Sequence, residues 1–193
     1  MRPLIDAALE MQAFLQERHW RFCFIGGLVL LRWSEPRATQ DVDLTLLSGF
    51  GDEESFIRPL LARYQSRCSN AESFAVRNRV LLLTASNGVD IDVSLGGLPY
   101  EEKIIERASP FAFTPEATLI TCSAEDLLIL KAFANRALDW RDVEGILVRQ
   151  HNHLDWPYIM KHLPPLCALK EDSAIEKRLD QLRQMLEAEA QGQ

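Results

Sequence analysis

Four aspartates in this chain are arranged in a way that calls for chemistry. Asp41-Val42-Asp43-Leu44 places two acids two positions apart in an otherwise apolar run, and Asp90-Ile91-Asp92-Val93 does the same some fifty residues later. Side chains alternate along a β-strand, so each pair points to one face while its apolar neighbours point to the other. Like charges held side by side in a largely apolar strand repel, and they cost desolvation. A divalent cation turns that repulsion into shared attraction. Magnesium in particular takes a few hard carboxylate oxygens and leaves coordination positions for phosphate. If the two strands are neighbours, one sheet face collects three or four carboxylates, enough for two ions that serve the attacking and leaving oxygens of a phosphoryl displacement. A lone acid-x-acid pair is most often a solvated strand face; the second pair gives the first its weight.

A glycine pair precedes the first acids. Gly26-Gly27 follows a short apolar strand and opens a helix. Glycine lets a phosphate approach the backbone, and N–H groups at a helix start suit an anion. A tight strand–helix turn without a ligand is the plainer alternative. The pattern is neither the dinucleotide fingerprint nor the P-loop. Arg37 and Thr39 lie at even spacings before Asp41, on its face if the strand begins that early. Arg37 is then placed to clamp triphosphate oxygens with its planar fork.

These elements must be carried by a mixed sheet. Helical spacing of apolar residues marks 4–18, and a strand covers 21–25. A helix from Leu28 to Trp33 ends at Glu35-Pro36, and the next strand covers 42–47. A helix is expected over 52–64, and strands over 74–76, 80–85 and 89–95. Asn87-Gly88 is the turn of a hairpin between the last two, and a short helix follows over 100–108. Because a hairpin cannot join parallel strands, the sheet is expected to be mixed. From Ser123 onward helical signals dominate, over 124–138, 140–150, 156–163 and 172–190. The expected fold class is α/β (α+β), a small mixed sheet with flanking helices, divided into a core over 1–115 and a helical region over 116–193.

The order of strand, Gly-Gly, short helix and acid-x-acid strand resembles the nucleotidyltransferase superfamily of the DNA polymerase β type. Ile25-Gly26-Gly27 and Asp41-Val42-Asp43-Leu44 are the matching residues. Arg37-Ala-Thr39-Gln-Asp41-Val-Asp43 resembles the R-x-T-x-D-x-D version seen in AbiEii-like toxins of toxin–antitoxin systems. The resemblance implies that Asp41, Asp43 and a third carboxylate hold two Mg2+ ions. Asp92 fits that third place best and Asp90 competes for it. It also implies that Gly26 and Gly27 receive the phosphates of a nucleoside triphosphate substrate. In the second half, Lys131 interrupts an apolar helix stripe, where it either snorkels or meets phosphate. Asp139-Trp140-Arg141-Asp142 resembles the family's later R-x-K-D motif at its final acid, with its leading arginine replaced by Asp139. Lys131 and Asp142 are carried over on that ground, Asp142 either as a base or as the group that orients Lys131.

The expected activity is Mg2+-dependent transfer of a nucleoside monophosphate from an NTP to an acceptor, with a cognate antitoxin implied as partner. The acceptor stays open among an RNA end such as tRNA, a protein and a small molecule. Rival readings are a non-catalytic nucleotide-binding or protein-interaction module and a two-metal phosphodiesterase. Net charge is −7 over 193 residues, which disfavours broad nucleic-acid binding, although Arg58, Arg63, Arg67, Arg77 and Arg79 offer a local patch for tRNA. No apolar run reaches membrane-spanning length and no signal-peptide pattern opens the chain, so the expected location is the cytoplasm. Four cysteines without a C-x-x-C pair predict reduced, mostly buried thiols. Gln150-His151-Asn152-His153 superficially suggests an HNH nuclease, but it closes a helix and lacks the ββα-metal setting. The tryptophans are expected to be structural, and the stripe Ile175, Leu179, Leu182 and Leu186 to pack in the core or, second, at an oligomer interface.

Overall fold

A computed structural model describes residues 1–150 and 152–191. The chain divides into two compact units, one of residues 1–29 and 38–123, the other of residues 30–37 and 124–193.

The first unit is built on a mixed sheet. Its strands are β1 (Phe22–Ile25), β2 (Asp41–Leu47), β3 (Gln65–Ser66), β4 (Val80–Thr84), β5 (Asp90–Gly96), β6 (Ser109–Thr114) and β7 (Ala117–Thr121). Their spatial order is β3-β4-β5-β2-β1-β7-β6. β2 runs parallel to β5, and β7 parallel to β1; the other neighbouring pairs are antiparallel. The β4–β5 hairpin forms as the Asn87-Gly88 turn predicts, with Gly88 at φ +83°. One sheet face carries Val42, Leu44, Leu46, Leu81, Leu83, Ile91, Val93 and Leu95, all fully or almost fully buried. Helix α1 (Arg2–Glu17) packs on the sheet near β2 and β7 and buries Ala7, Ala8, Met11, Phe14 and Leu15 of the stripe read from its spacing, with Ile5 buried in place of the half-buried Leu4. Gln12 within that stripe is buried without cost. It donates to the Thr118 carbonyl at 2.8 Å and accepts from the Ile120 N–H at 2.9 Å, satisfying both ends of its amide.

Several local readings are corrected. Residues 74–76, expected as strand, lie in helix α4 (Ala71–Asn78). Only Ala75 of that helix is buried while Val76 is 44% exposed, a one-sided burial that suits a surface helix. The β6–β7 hairpin was not expected, because its Phe-Ala-Phe-Thr and Ala-Thr-Leu-Ile-Thr alternation is short and is preceded by Pro110. A proline is tolerated there because β6 is an edge strand. β3, two residues long, is likewise beyond periodicity. Between these elements lie α3 (Glu54–Arg63) and α5 (Pro99–Arg107).

Helix α2 (Gly26–Trp33) starts in the first unit and ends in the second. The second unit otherwise consists of α6 (Ala124–Ala134), α7 (Ala137–Gln150), α8 (Trp156–Leu169) and α9 (Ala174–Gln191). α6 stops earlier than expected, with Asn135 at φ +60°. α8 continues through Pro164 and Pro165, past the expected end at 163, because Leu166 and Cys167 beyond the prolines are buried. Ile175 and Leu179 of α9 are core residues. None of the four cysteines is in a disulfide; Cys23, Cys122 and Cys167 are buried, and burial pushes the Cys167 thiol up to about 11. His151 of the rejected nuclease motif lies outside the described residues. No helix among the described residues is long and apolar enough to cross a membrane.

Candidate functional site

β2 begins at Asp41 and runs parallel to β5 in full register. Asp41 stands level with Asp90, and Asp43 with Asp92. Residues paired across neighbouring parallel strands point to the same side. All four acids therefore share the sheet face opposite Val42, Leu44, Ile91 and Val93, and all four are half-buried. That face is also lined by Thr84, whose Oγ1 donates weakly to Asp90 at 3.5 Å. On the other flank Ile25, the residue before the glycine pair, stands level with Asp43.

Gly26 occupies the left-handed region at φ +70°. A Cβ there would sit 2.6 Å from Asp43 Cγ and closer still to its Oδ2. Glycine is required twice over, for its backbone angle and for the room that Asp43 takes. At Gly27 a Cβ would sit 2.8 Å from Thr39 Cβ. Thr39 in turn donates to Asp41 Oδ1 at 3.0 Å. The glycine corner and the first two acids thus form one packed unit, with Thr39 as the clip. The strand does not begin early enough to include Arg37 and Thr39, since both precede β2, which starts only at Asp41.

Arg67 was read in the sequence only as part of a basic patch. It follows β3, and its guanidinium lies among the acids. Nε donates to the Leu83 carbonyl at 3.2 Å, one Nη pairs with Asp90 Oδ2 at 3.2 Å, and the other pairs closely with Asp92 Oδ1. Burial, above all, pushes the Asp92 carboxyl above the usual carboxylate value; Arg67 opposes the shift, and the charges of Asp41 and Asp90 add to it. Among the described residues no group of three or more acidic, histidine or cysteine side chains is placed to hold a metal ion as it stands.

In the second unit a polar cluster is buried. Lys131 of α6, 7% exposed, lies between Asp139 Oδ1 at 3.1 Å and Asp142 Oδ2 at 2.8 Å, both on α7. Asp142 also receives a fork from Arg37, Nε at 2.7 Å and Nη2 at 3.0 Å. Asp139 accepts from Arg136 at 2.5 Å and 3.1 Å. Burial would raise the Asp139 pKa, but the hydrogen bonds from Arg136 and Lys131 outweigh it and hold the carboxyl below its ordinary value. Arg37 reaches this cluster because the end of α2 docks on α7, with Gln150 Nε2 donating to the Trp33 carbonyl at 3.1 Å. Trp140, 1% exposed, donates to Asn135 Oδ1 at 2.6 Å, which makes it a core residue rather than a stacking platform.

The sequence profile of the nucleotidyl transferase AbiEii toxins of type IV toxin–antitoxin systems matches residues 9–191. The chain belongs to this family. No curated protein sequence matches it significantly. Among solved structures, an antigenic nucleotidyltransferase-like protein from Paracoccidioides brasiliensis superposes with a TM-score of 0.53 at 12% identity, covering 92% of both chains. That likeness establishes a nucleotidyltransferase-like fold. The lincomycin-bound lincosamide adenylyltransferase LnuA gives 0.48 at 10% identity, covering 73% of this chain and 94% of its own. The antibiotic-resistance factor ANT(2'')-Ia gives 0.44 at 14%, covering 97% and 93%.

Within this AbiEii-family chain, the site residues read from sequence fall into two groups. Gly26, Gly27, Thr39, Asp41, Asp43 and Asp92 come together in the first unit, and Arg37, Lys131 and Asp142 in the second. Sequence reading did not single out Arg67 as part of the carboxylate face, or Asp139 and Arg136 as members of the buried cluster. Spacing gives no signal for Arg67, which lies 25 residues from Asp92; the (i, i+3) step from Arg136 to Asp139 was the one local clue. Four arginines of the basic patch have acidic partners. Arg58 pairs with Glu54 and Glu72, Arg63 with Glu10, Arg67 with Asp90 and Asp92, and Arg79 with Glu53, so these guanidiniums are largely neutralised in place.

Proposed function

We propose that this AbiEii-family chain is a divalent-cation-dependent nucleotidyltransferase that moves a nucleoside monophosphate from an NTP to an acceptor. The observation that carries this reading is the level pairing of Asp43 with Asp92 across β2 and β5, beside a glycine corner that opens a helix. The donor set fits magnesium, since it offers hard carboxylate oxygens on one half-exposed face and no soft ligand. Asp41, Asp43 and Asp92 would hold the metal, which when bound would neutralise phosphate charge and polarise the reacting phosphorus. Asp92 is preferred over Asp90 because it stands level with Asp43, the acid packed on Gly26.

Gly26 and Gly27 leave the backbone bare where the nucleotide's phosphates approach, and the N–H groups of the first turn of α2 attract them. Thr39 keeps Asp41 in its rotamer. An acceptor oxygen attacks the α-phosphorus; the new P–O bond forms as the bond to the β-phosphate bridging oxygen breaks. Pyrophosphate leaves, and the acceptor's proton passes to solvent. Catalysis rests on positioning and charge neutralisation. In the second unit, Asp142 orients Lys131 rather than taking a proton, because Arg37 and Lys131 already engage both of its oxygens. Family membership supports a cognate antitoxin as partner.

The test supplies each labelled NTP with Mg2+ and total cell extract, and follows label transfer and pyrophosphate release. Asp43→Asn should keep the fold and lower turnover by at least about a hundredfold, since even residues that merely orient metal ligands cost about 10–100-fold. Unchanged turnover would refute the assignment. The neutralisation of Asp92 by Arg67 favours one rival, a non-catalytic nucleotide-binding module. Thermal stabilisation by NTP without metal, and no pyrophosphate release, would support it.

A further inference from the structure

The Arg67 guanidinium makes three directed contacts, and each is on the first unit. Two go to Asp90 and Asp92, and the third goes to the Leu83 carbonyl of β4. The backbone is held as well, with the Arg67 N–H donating to the Leu82 carbonyl at 3.0 Å. The side chain is only 29% exposed. This is more than a loose surface pair, because both backbone and head group are anchored to β4, the strand beside β5. Leu82 of β4 stands level with Asp92, and Thr84 with Asp90. The guanidinium therefore reaches the acidic face from the β4 side, while Asp43 and Gly26 flank it from the β1 side.

We infer that Arg67 is a resident counter-cation of the carboxylate face, competing with a divalent cation for Asp92 and thereby setting the concentration at which the site takes up metal. This rests on the reading of Asp41, Asp43 and Asp92 as the metal-holding set. Physically, the same Asp92 oxygen cannot both accept the Arg67 Nη–H and serve a dication at full strength. Arg67 can let go of Asp92 and keep Asp90, so the exchange needs a side-chain rotation and no movement of the sheet. Without Arg67 the four acids repel one another unscreened, and a dication gains what the guanidinium no longer supplies.

The experiment measures Mn2+ binding to the full chain, without nucleotide, by the electron paramagnetic resonance signal of free Mn2+. It is run on the wild type, Arg67→Gln, Arg67→Lys and Asp43→Asn, each checked for folding by circular dichroism. Arg67→Gln should bind Mn2+ about tenfold more tightly, as expected when a unit positive charge is removed from beside a dication in a half-exposed site. Arg67→Lys keeps the charge but loses the fork, and should fall between the two; it carries the test alone if Arg67→Gln fails to fold. Wild-type binding that is lost in Asp43→Asn yet unchanged or weakened in both Arg67 variants overturns the inference and leaves the metal reading standing. Absence of binding in every protein, or binding indifferent to Asp43→Asn, overturns the metal reading and this inference with it.

Discussion

Replacing Lys131 by methionine tests the second unit's buried cluster most directly. The side chain keeps its length and apolar stem but loses the ammonium between Asp139, 1% exposed, and Asp142, 4% exposed. Removing one partner of a buried ion pair costs about 3–5 kcal/mol, because the other charge is stranded. Here each carboxylate keeps a guanidinium, Arg136 on Asp139 and Arg37 on Asp142. Neither is stranded outright, so we lower the expected loss to about 2–3 kcal/mol. For a chain of this size that corresponds to a fall in Tm of roughly 4–12 °C. Calorimetry on the full chain at neutral pH reads it. The double variant Lys131→Met/Asp139→Asn should recover part of the loss, because it removes one of the two facing negative charges, and a double-mutant cycle would put a number on the coupling. A Tm within about 2 °C of wild type for Lys131→Met would refute the reasoning, since it would mean that the ammonium contributes nothing between two buried acids.

Asp139 has its pKa held below the ordinary 3.8, so its contribution to stability is complete above that value and is lost as pH falls through the lower folded-state value. The stability difference between wild type and Asp139→Asn should therefore shrink on acidification below about pH 4, as read from urea midpoints across pH; a difference that grows there would contradict the assignment. Gly26→Ala must adopt a left-handed backbone at about 1–2 kcal/mol and push Asp43 aside at about 1–3 kcal/mol more. Wild-type stability in that variant would show the corner to be looser than described. Gly27→Ala pays no such backbone cost but displaces Thr39 from Asp41. It should lose less stability than Gly26→Ala while still lowering nucleotidyl transfer, as side-by-side melting and turnover would reveal.

What the sequence by itself determined is what a short window can encode. Alternation over residues 41–44 and 90–93 says which residues share a face. Asn87-Gly88 says where a hairpin turns, and helical spacing says that the last third is helical. The glycine pair followed by acid-x-acid marked the superfamily, and Arg37-x-Thr39 ahead of those acids marked the family. Those signals live in neighbouring residues, and the backbone geometry of strand and helix reads them directly. Where local signals were short or mixed, as over 74–76 and 109–121, reading failed; a few apolar residues fit a strand edge or a one-sided helix equally well until burial decides. Tertiary structure alone decided that Asp43 is level with Asp92, because register between strands separated by more than forty residues is set by packing. It alone placed Arg67 against Asp92, Arg37 against Asp142 at 105 residues' separation, and Asp43 against the missing Cβ of Gly26. A charged side chain's partner depends on where two distant segments meet in a low-dielectric setting, and no periodicity within either segment carries that information.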